Sequence, residues 1–311
     1  MVNIAVAGGN GNVGRTIVEV LKEQTRHAPF ILSRHTEVGV PALAVDYTNI
    51  DSIREVLEKN NIHTVISCVN YEGDALAVAQ LNLIKASTNS STTKRFIPST
   101  FGIAYPESAI KELPMLTDYF KAIGELKKSG LQWTVVNNGC FLDYWGQPHI
   151  KSFLRPSPFG IDIANREAAI PGDGNTPFSL TYSFDMAKYV VALQDLDEWP
   201  EVSRFAGDII TWNEFLSLAE ESANLLTGSK FKVTYDSIEK LEKGEITELP
   251  SQVPCYAFIP KPQFQGFMSI FTKWTANEKI SLIPAEMNSR FPGIKPLTVR
   301  EMLNVWKDES S

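Results

Sequence analysis

The sequence predicts an α/β fold, a doubly wound parallel sheet with a smaller mixed α/β lobe after it. Three observations carry that expectation. A short apolar run at the start of the chain stops at a cluster of glycines and passes directly into helical apolar spacing. Short apolar strands then alternate with amphipathic stretches at close intervals, which fits parallel strands joined by right-handed crossovers. Finally, 311 residues is about twice the usual single-domain length, enough for one large domain or two joined ones.

The first strand is expected at Asn3–Ala7. It ends at Gly8-Gly9-Asn10-Gly11-Asn12-Val13-Gly14, and Ile17, Val18 and Leu21 then mark one face of a helix. A buried strand feeding a helix through such a turn aims backbone N–H groups and the positive end of the helix dipole at one spot, which suits a pyrophosphate. The spacing of Gly8, Gly11 and Gly14 is GxxGxxG rather than GxGxxG. Gly8, Gly9, Asn10, Gly11, Asn12, Val13 and Gly14 are therefore expected to cradle a dinucleotide in a Rossmann-type sheet.

Phe30–Leu32 reads as the second strand, followed by Ser33-Arg34-His35. A carboxylate after this strand would hydrogen-bond the ribose diol of NAD, whereas an arginine accommodates the extra phosphate of NADP. Arg34 with Ser33, and His35 as a weaker third, predicts NADP(H) as the cofactor. The third strand, Ala42–Val45, ends at Asp46, which is expected at the cofactor. A helix capped near Asn49 or Asp51 follows, with Ile53, Val56 and Leu57 on its inner face.

His63–Val69 is the fourth strand, nearly all apolar or small as in strands covered on both faces, with Asn70 at its carboxyl end and Cys68 as a core residue. A helix over Gln80–Ala86 leads to Arg95–Gly102, the fifth strand and its turn. Ligands bind outside the carboxyl ends of such strands. Asn70, Ser99, Thr100 and Phe101 thus join the expected cofactor contacts.

Taken together, the glycine segment, Arg34 and Arg95-Phe96-Ile97-Pro98-Ser99-Thr100-Phe101-Gly102 resemble the NmrA-like and isoflavone reductase-like group of atypical short-chain dehydrogenases. The likeness continues through Lys121, Ser129–Tyr144, Ala169–Gly174, Ser183–Ala187 and Phe291–Pro296, nearly the whole chain. The resemblance implies an NADPH-dependent reductase passing hydride to a carbonyl, enone or imine-like carbon of an aromatic or polyketide-like metabolite. It equally admits an NADP-sensing regulator without turnover, or a non-redox isomerase or cyclase on the same scaffold. It places Lys121 near the nicotinamide. The chain departs from the group at Thr100, where Pro-Ser-Glu-Phe-Gly is usual.

The Tyr-xxx-Lys pair of ordinary short-chain dehydrogenases does not occur. Tyr119 stands only two residues before Lys121, so the two point to different helix faces. The expected catalytic residues are Lys121, suited to hold the cofactor ribose hydroxyls, to polarise a carbonyl or, if burial lowers its pKa, to deliver a proton, and Tyr105, whose alternative is aromatic packing in its loop. Water is the third proton source. Asn138 and Phe141 are expected at the cofactor. Phe101, Phe141, Tyr144, Trp145, His149 and Phe153 are expected to wall a mostly apolar pocket for a hydrophobic small molecule. His149 reads more simply as a structural hydrogen-bonder than as a proton carrier.

Beyond Pro148 the pattern is less regular. Strands are expected at Phe178–Tyr182, Phe205–Trp212 and Lys230–Tyr235, and helices at Asp185–Leu193 and Asn213–Leu226. Residues 1–150 are read as the NADP-binding domain. Residues 151–311 are read mainly as the substrate-binding lobe, with some segments returning to the first sheet. Phe264, Phe267, Phe271 and Trp274 share helical spacing and read as one face, for packing or for a lid, while Glu239–Glu248 reads as a solvated charged segment.

Composition closes other routes. A net charge of −7 has the wrong sign for nucleic-acid binding, and 43% hydrophobic with 21% charged residues is ordinary for a globular chain. Cys68, Cys140 and Cys255 lack the spacing of a disulfide framework or metal site, so no metal and a reducing compartment are expected. With no secretory leader or membrane span in the pattern, the expected location is the cytoplasm. A homodimer is compatible with the sequence, which leaves the oligomeric state open.

Overall fold

The computed structural model describes residues 1–34, 41–70, 75–227 and 230–306. The chain folds as two compact units. Unit 1 holds Met1–Phe101, Pro106–Asn137 and Met186–Ser203; unit 2 holds Gly102–Tyr105, Asn138–Asp185 and Arg204–Ser311. The chain enters unit 2 briefly at Gly102–Tyr105 and again from Asn138, and Met186–Ser203 returns to unit 1.

Unit 1 contains a six-stranded parallel sheet built of β1 (Asn3–Ala7), β2 (Ala28–Ser33), β3 (Ala42–Ala44), β4 (Ile62–Ser67), β5 (Arg95–Ile97) and β6 (Gln132–Trp133), in the order β3-β2-β1-β4-β5-β6. β1 pairs with β2 on one side and β4 on the other. This central position explains why Ile4, Ala5, Val6 and Ala7 are apolar and all fully buried. The connections are α1 (Asn12–Gln24), α2 (Ile50–Lys59), α3 (Leu81–Asn89) and α4 (Leu116–Leu126). Ile53 and Leu57 of α2, Leu83 and Ile84 of α3, and Ala122 and Leu126 of α4 pack with Val65 and Phe96 in one cluster. Each such leucine or isoleucine withdrawn from water contributes about 1.5–3 kcal/mol. The sheet order reverses between β1 and β4, the switch point at which open α/β sheets take their ligands.

The helix expected over Gln80–Ala86 is preceded by a π-helix, Ala75–Gln80, that runs directly into α3. The third and fourth strands are shorter than the apolar runs that announced them, although Val45 N–H still donates to Ser33 O at 2.9 Å and Cys68 N–H to Ala7 O at 2.8 Å.

Unit 2 is organised by two three-stranded sheets. Phe178–Thr181 lies between Cys140–Phe141, parallel, and Asp208–Ile210, antiparallel. Glu167–Pro171 lies between Ile161–Asp162, antiparallel, and Lys232–Asp236, parallel. Of the strand expected over Phe205–Trp212, only Asp208–Ile210 pairs. Trp212 instead enters the core, stacked on Phe178 at 4.5 Å and donating its indole N–H to Thr275 Oγ1 at 2.9 Å.

The charged segment after residue 238 is less solvated than its composition suggests. Leu241 is buried there, Lys240 Nζ reaches the buried Asp236 carboxylate at 2.7 Å, and Glu248 pairs with Lys261 at 2.6 Å. On the aromatic helix Lys261–Thr275, Phe267, Phe271 and Trp274 touch in a row, with ring centres 4.7 and 5.3 Å apart, while burial varies along the face: Phe264 and Trp274 are buried, Phe271 is half-buried and Phe267 is 41% exposed.

Candidate active site

The glycine bend between β1 and α1 is tightly closed. Gly8 has φ +74, and a Cβ on it would stand 2.5 Å from the Cys68 carbonyl oxygen. A Cβ on Gly14 would collide with the Gly8 carbonyl. Only glycine lets the backbone pass that close. The bend is locked by Gly11 N–H to Gly8 O at 2.9 Å, and α1 begins with Arg15 N–H to Gly11 O at 2.7 Å. No side chain caps α1, and Asn10, Gly11 and Asn12 are exposed, so the free amides and positive dipole end of a thirteen-residue helix face outward. Nothing else about the loop is needed to make a seat for an anionic group.

Ser33 ends β2 with its carbonyl accepting from Val45 N–H, and Arg34 follows it, exposed. His35 lies outside the described residues. Asp46 is exposed but engaged: its Oδ1 accepts from Thr48 N–H at 2.9 Å and from Thr48 Oγ1 at 2.7 Å, which holds its carboxyl below the usual range. Asn70 is exposed past the end of β4. Cys68, beside Gly8, has its thiol pushed up by burial.

The turn after β5 is cross-linked from within. Ser99 Oγ donates to the Val69 carbonyl at 2.7 Å, and Ser99 N–H donates to Gln80 Oε1 at 2.7 Å. Thr100 corrects the expectation of a side-chain contact to the cofactor. It is 1% exposed, with Oγ1 donating to the Pro98 carbonyl at 3.2 Å and accepting from Val136 N–H at 3.3 Å. The hydroxyl is used up inside the fold. Phe101 is half-buried at the end of this turn.

Lys121 sits on the exposed face of α4 while Tyr119 is buried on the opposite one, so the two do not form a proton-transfer pair. Burial pushes the Tyr119 phenol well above its ordinary range.

Sequence reasoning missed two residues here. Gln80 is fully buried and orders the Ser99 turn, but a glutamine inside a helical stretch gives no signal of that. Tyr47 is half-buried, with its hydroxyl donating to the Leu32 carbonyl at 2.9 Å. The only hint in sequence was an aromatic residue directly after Asp46.

The remaining candidates belong to unit 2. Tyr105 is half-buried with its ring edge-on to Trp274 at 5.7 Å, the packing role named as its alternative. Asn138 is fully buried; its N–H donates to Gly102 O at 2.9 Å, its carbonyl accepts from Thr181 Oγ1 at 2.6 Å, and its Oδ1 has no partner among the described residues. Gly139, at φ +70, is pressed so closely on Ser179 that no Cβ fits.

Phe141 is buried edge-on to Tyr144. Tyr144 is half-buried, and Phe153 leans on Phe184 at 5.9 Å. Trp145 is corrected from pocket wall to core: it is 2% exposed among Phe159, Trp212 and Phe215, with its indole N–H on the Phe159 carbonyl at 3.0 Å. His149 stands edge-on to Trp306 at 4.4 Å. Asp143, buried beneath this segment, accepts from Ser183 N–H and Oγ and from Ser152 Oγ at 2.6–2.8 Å. Its carboxyl is raised by burial despite these bonds. Among the described residues no group of three or more His, Cys, Asp or Glu could hold a metal ion, and no helix is long and apolar enough to cross a membrane.

The profile of the NmrA-like family matches residues 2–301. The chain belongs to the NmrA-like family. Within it, the chain is 35% identical over 302 residues to Oxidoreductase BOA1 of Botryotinia fuckeliana, covering 95% of this chain and 96% of that one. It is 34% identical over 285 residues to Oxidoreductase swnN of Metarhizium robertsii, covering 82% of each. This NmrA-like protein is accordingly an oxidoreductase. Its fold is shared with the binary complex of leucoanthocyanidin reductase and NADPH from Vitis vinifera, with a TM-score of 0.69 at 18% identity over 98% of this chain and 99% of that chain.

Proposed function

We propose that the protein is an NADPH-dependent reductase that delivers hydride to a carbonyl, enone or imine-like carbon of a hydrophobic, aromatic or polyketide-like metabolite. The observation that carries this reading is the glycine bend, closed to any side chain at Gly8 and Gly14 and opening onto an uncapped helix end, with Arg34 exposed after the neighbouring strand. The amides of Asn12 and Val13 at the start of α1 fit a diphosphate, and the Arg34 guanidinium, with the Ser33 hydroxyl, fits the additional phosphate that separates NADP from NAD. The NADPH complex of the leucoanthocyanidin reductase and the oxidoreductase relatives support it.

When bound, the cofactor supplies the hydride, and the protein supplies binding, orientation and electrostatics. Lys121, exposed on α4, orders the nicotinamide end and offers an ammonium donor to the substrate oxygen as negative charge develops there. Asn70 and the backbone of the Ser99–Phe101 turn complete the cofactor side. Phe141, Tyr144 and Phe153 give unit 2 its apolar substrate contacts, with Tyr105 able to donate from its loop.

The test is NADPH consumption against a panel of aromatic and polyketide carbonyl compounds, with Lys121→Ala as control. Oxidation of NADPH in step with product, reduced at least about 100-fold in Lys121→Ala, is expected. Product formed without NADPH oxidation would end the redox reading, and cofactor binding with no turnover across the panel would favour a sensor.

A further inference from the structure

Three parts of unit 1 meet at the hydroxyl of Tyr47. Its oxygen donates to the carbonyl of Leu32, next to last in β2, at 2.9 Å. Ala7, the residue before the glycine bend, pairs with the same Leu32 across β1 and β2, and the Gly8 N–H and the Arg34 guanidinium both act on the Tyr47 oxygen electrostatically. The main chain behind the ring is fixed as well, because Asn82 Nδ2 on α3 donates to the Tyr47 carbonyl at 2.9 Å. Arg34 stands two residues after Leu32, so whatever fixes the Leu32 carbonyl also fixes the point from which Arg34 leaves the sheet.

We infer that Tyr47 is a positioning residue for the dinucleotide, its hydroxyl setting the separation between the glycine bend and the end of β2 so that the diphosphate-facing amides and Arg34 are presented as one unit. This rests on the cofactor reading proposed above and deepens it. Tyr47→Phe keeps the ring and removes only the oxygen. The Leu32 carbonyl then loses its donor and the Gly8 N–H the dipole it faces, and Arg34 loses its fixed registry with the bend. NADPH uses both ends of that registry; NADH, which lacks the phosphate Arg34 addresses, uses one.

The experiment is fluorescence titration of the full-length protein with NADPH and with NADH, for the wild type, Tyr47→Phe, Arg34→Ala and the double variant. Tyr47→Phe is expected to weaken NADPH about five- to tenfold, the scale of one hydrogen bond, and NADH by less than about twofold. In the Arg34→Ala background the NADPH loss from Tyr47→Phe should shrink below about twofold, the non-additivity of coupled groups. Equal losses for the two dinucleotides, or losses that simply multiply in the double variant, would overturn the inference and leave the cofactor reading standing. A wild type that binds neither dinucleotide would overturn both. Should Tyr47→Phe fail to fold, as read by circular dichroism, Asn82→Ala loosens the same residue from behind. It should weaken NADPH more than NADH, and equal effects would again count against the role.

Discussion

At the scale of single residues, the cofactor end rests on groups with no substitute. Gly14→Ala places a methyl on the Gly8 carbonyl. Such overpacking costs about 1–3 kcal/mol, so the variant should melt about 3–8 °C lower and lose NADPH binding, both read in one thermal-shift titration. Arg34→Ala should leave the fold intact and weaken NADPH about 10- to 100-fold, while NADH changes by less than about twofold in the same assay. Gly14 was legible in sequence because glycine at that spacing has few other uses, and Arg34 was marked there for the role proposed above. Thr100 was not. A hydroxyl beside Ser99 at a strand end looks like a ligand contact, and only the fold shows it spent on Pro98 and Val136. Trp145 misled for the opposite reason, since one aromatic in a row of aromatics gives no sign of which ring faces inward.

Elements were easier to place than their ends. α2 was expected to start at Asn49 or Asp51, and Asn49 Oδ1 does accept from Ser52 N–H at 3.0 Å. Asn49→Ala should therefore lower unfolding free energy by about 1 kcal/mol in denaturant melts. By contrast α1 has no side-chain cap, which is what leaves its amides for a ligand. The helix Lys261–Thr275 shows the limit of periodicity. Spacing put Phe264 and Phe267 on one face but carried no sign of their depth, which differs at 4% and 41% exposed. Phe264→Ala should cost about 3–5 kcal/mol, and replacing the 85%-exposed Phe258 by serine less than about 0.5 kcal/mol, a contrast that chemical unfolding of the two variants measures directly.

For the molecule as a whole, the alternation of strands and helices was enough to find the six-stranded sheet, because a parallel strand buried on both faces leaves a plain apolar mark. The division into units was harder to see, since the chain leaves unit 1 and returns to it at Met186–Ser203 with no change in composition. Acid sensitivity is set in unit 1. Burial holds the imidazoles of His27 and His63 below their ordinary value, and for His27 this outweighs the Asp195 carboxylate 3.2 Å away. With folded values depressed, the unfolded chain binds the proton more readily. The contribution to stability is complete above about pH 6.5 and is lost as pH falls through the folded values. The melting temperature should thus drop between about pH 7 and 5, and His63→Gln should flatten that slope.

Thr100 also bears on redesign. The Pro-Ser-Glu-Phe-Gly pattern usual in the group this chain resembles has glutamate where this chain has threonine, and here the slot at position 100 is filled by the smaller side chain, with its proton and an oxygen lone pair already committed. Putting glutamate there by itself strands a charge in a dry niche and unfastens Val136, so the expected result is a poorly folded protein rather than an improved catalyst. Any such exchange has to begin with the surroundings.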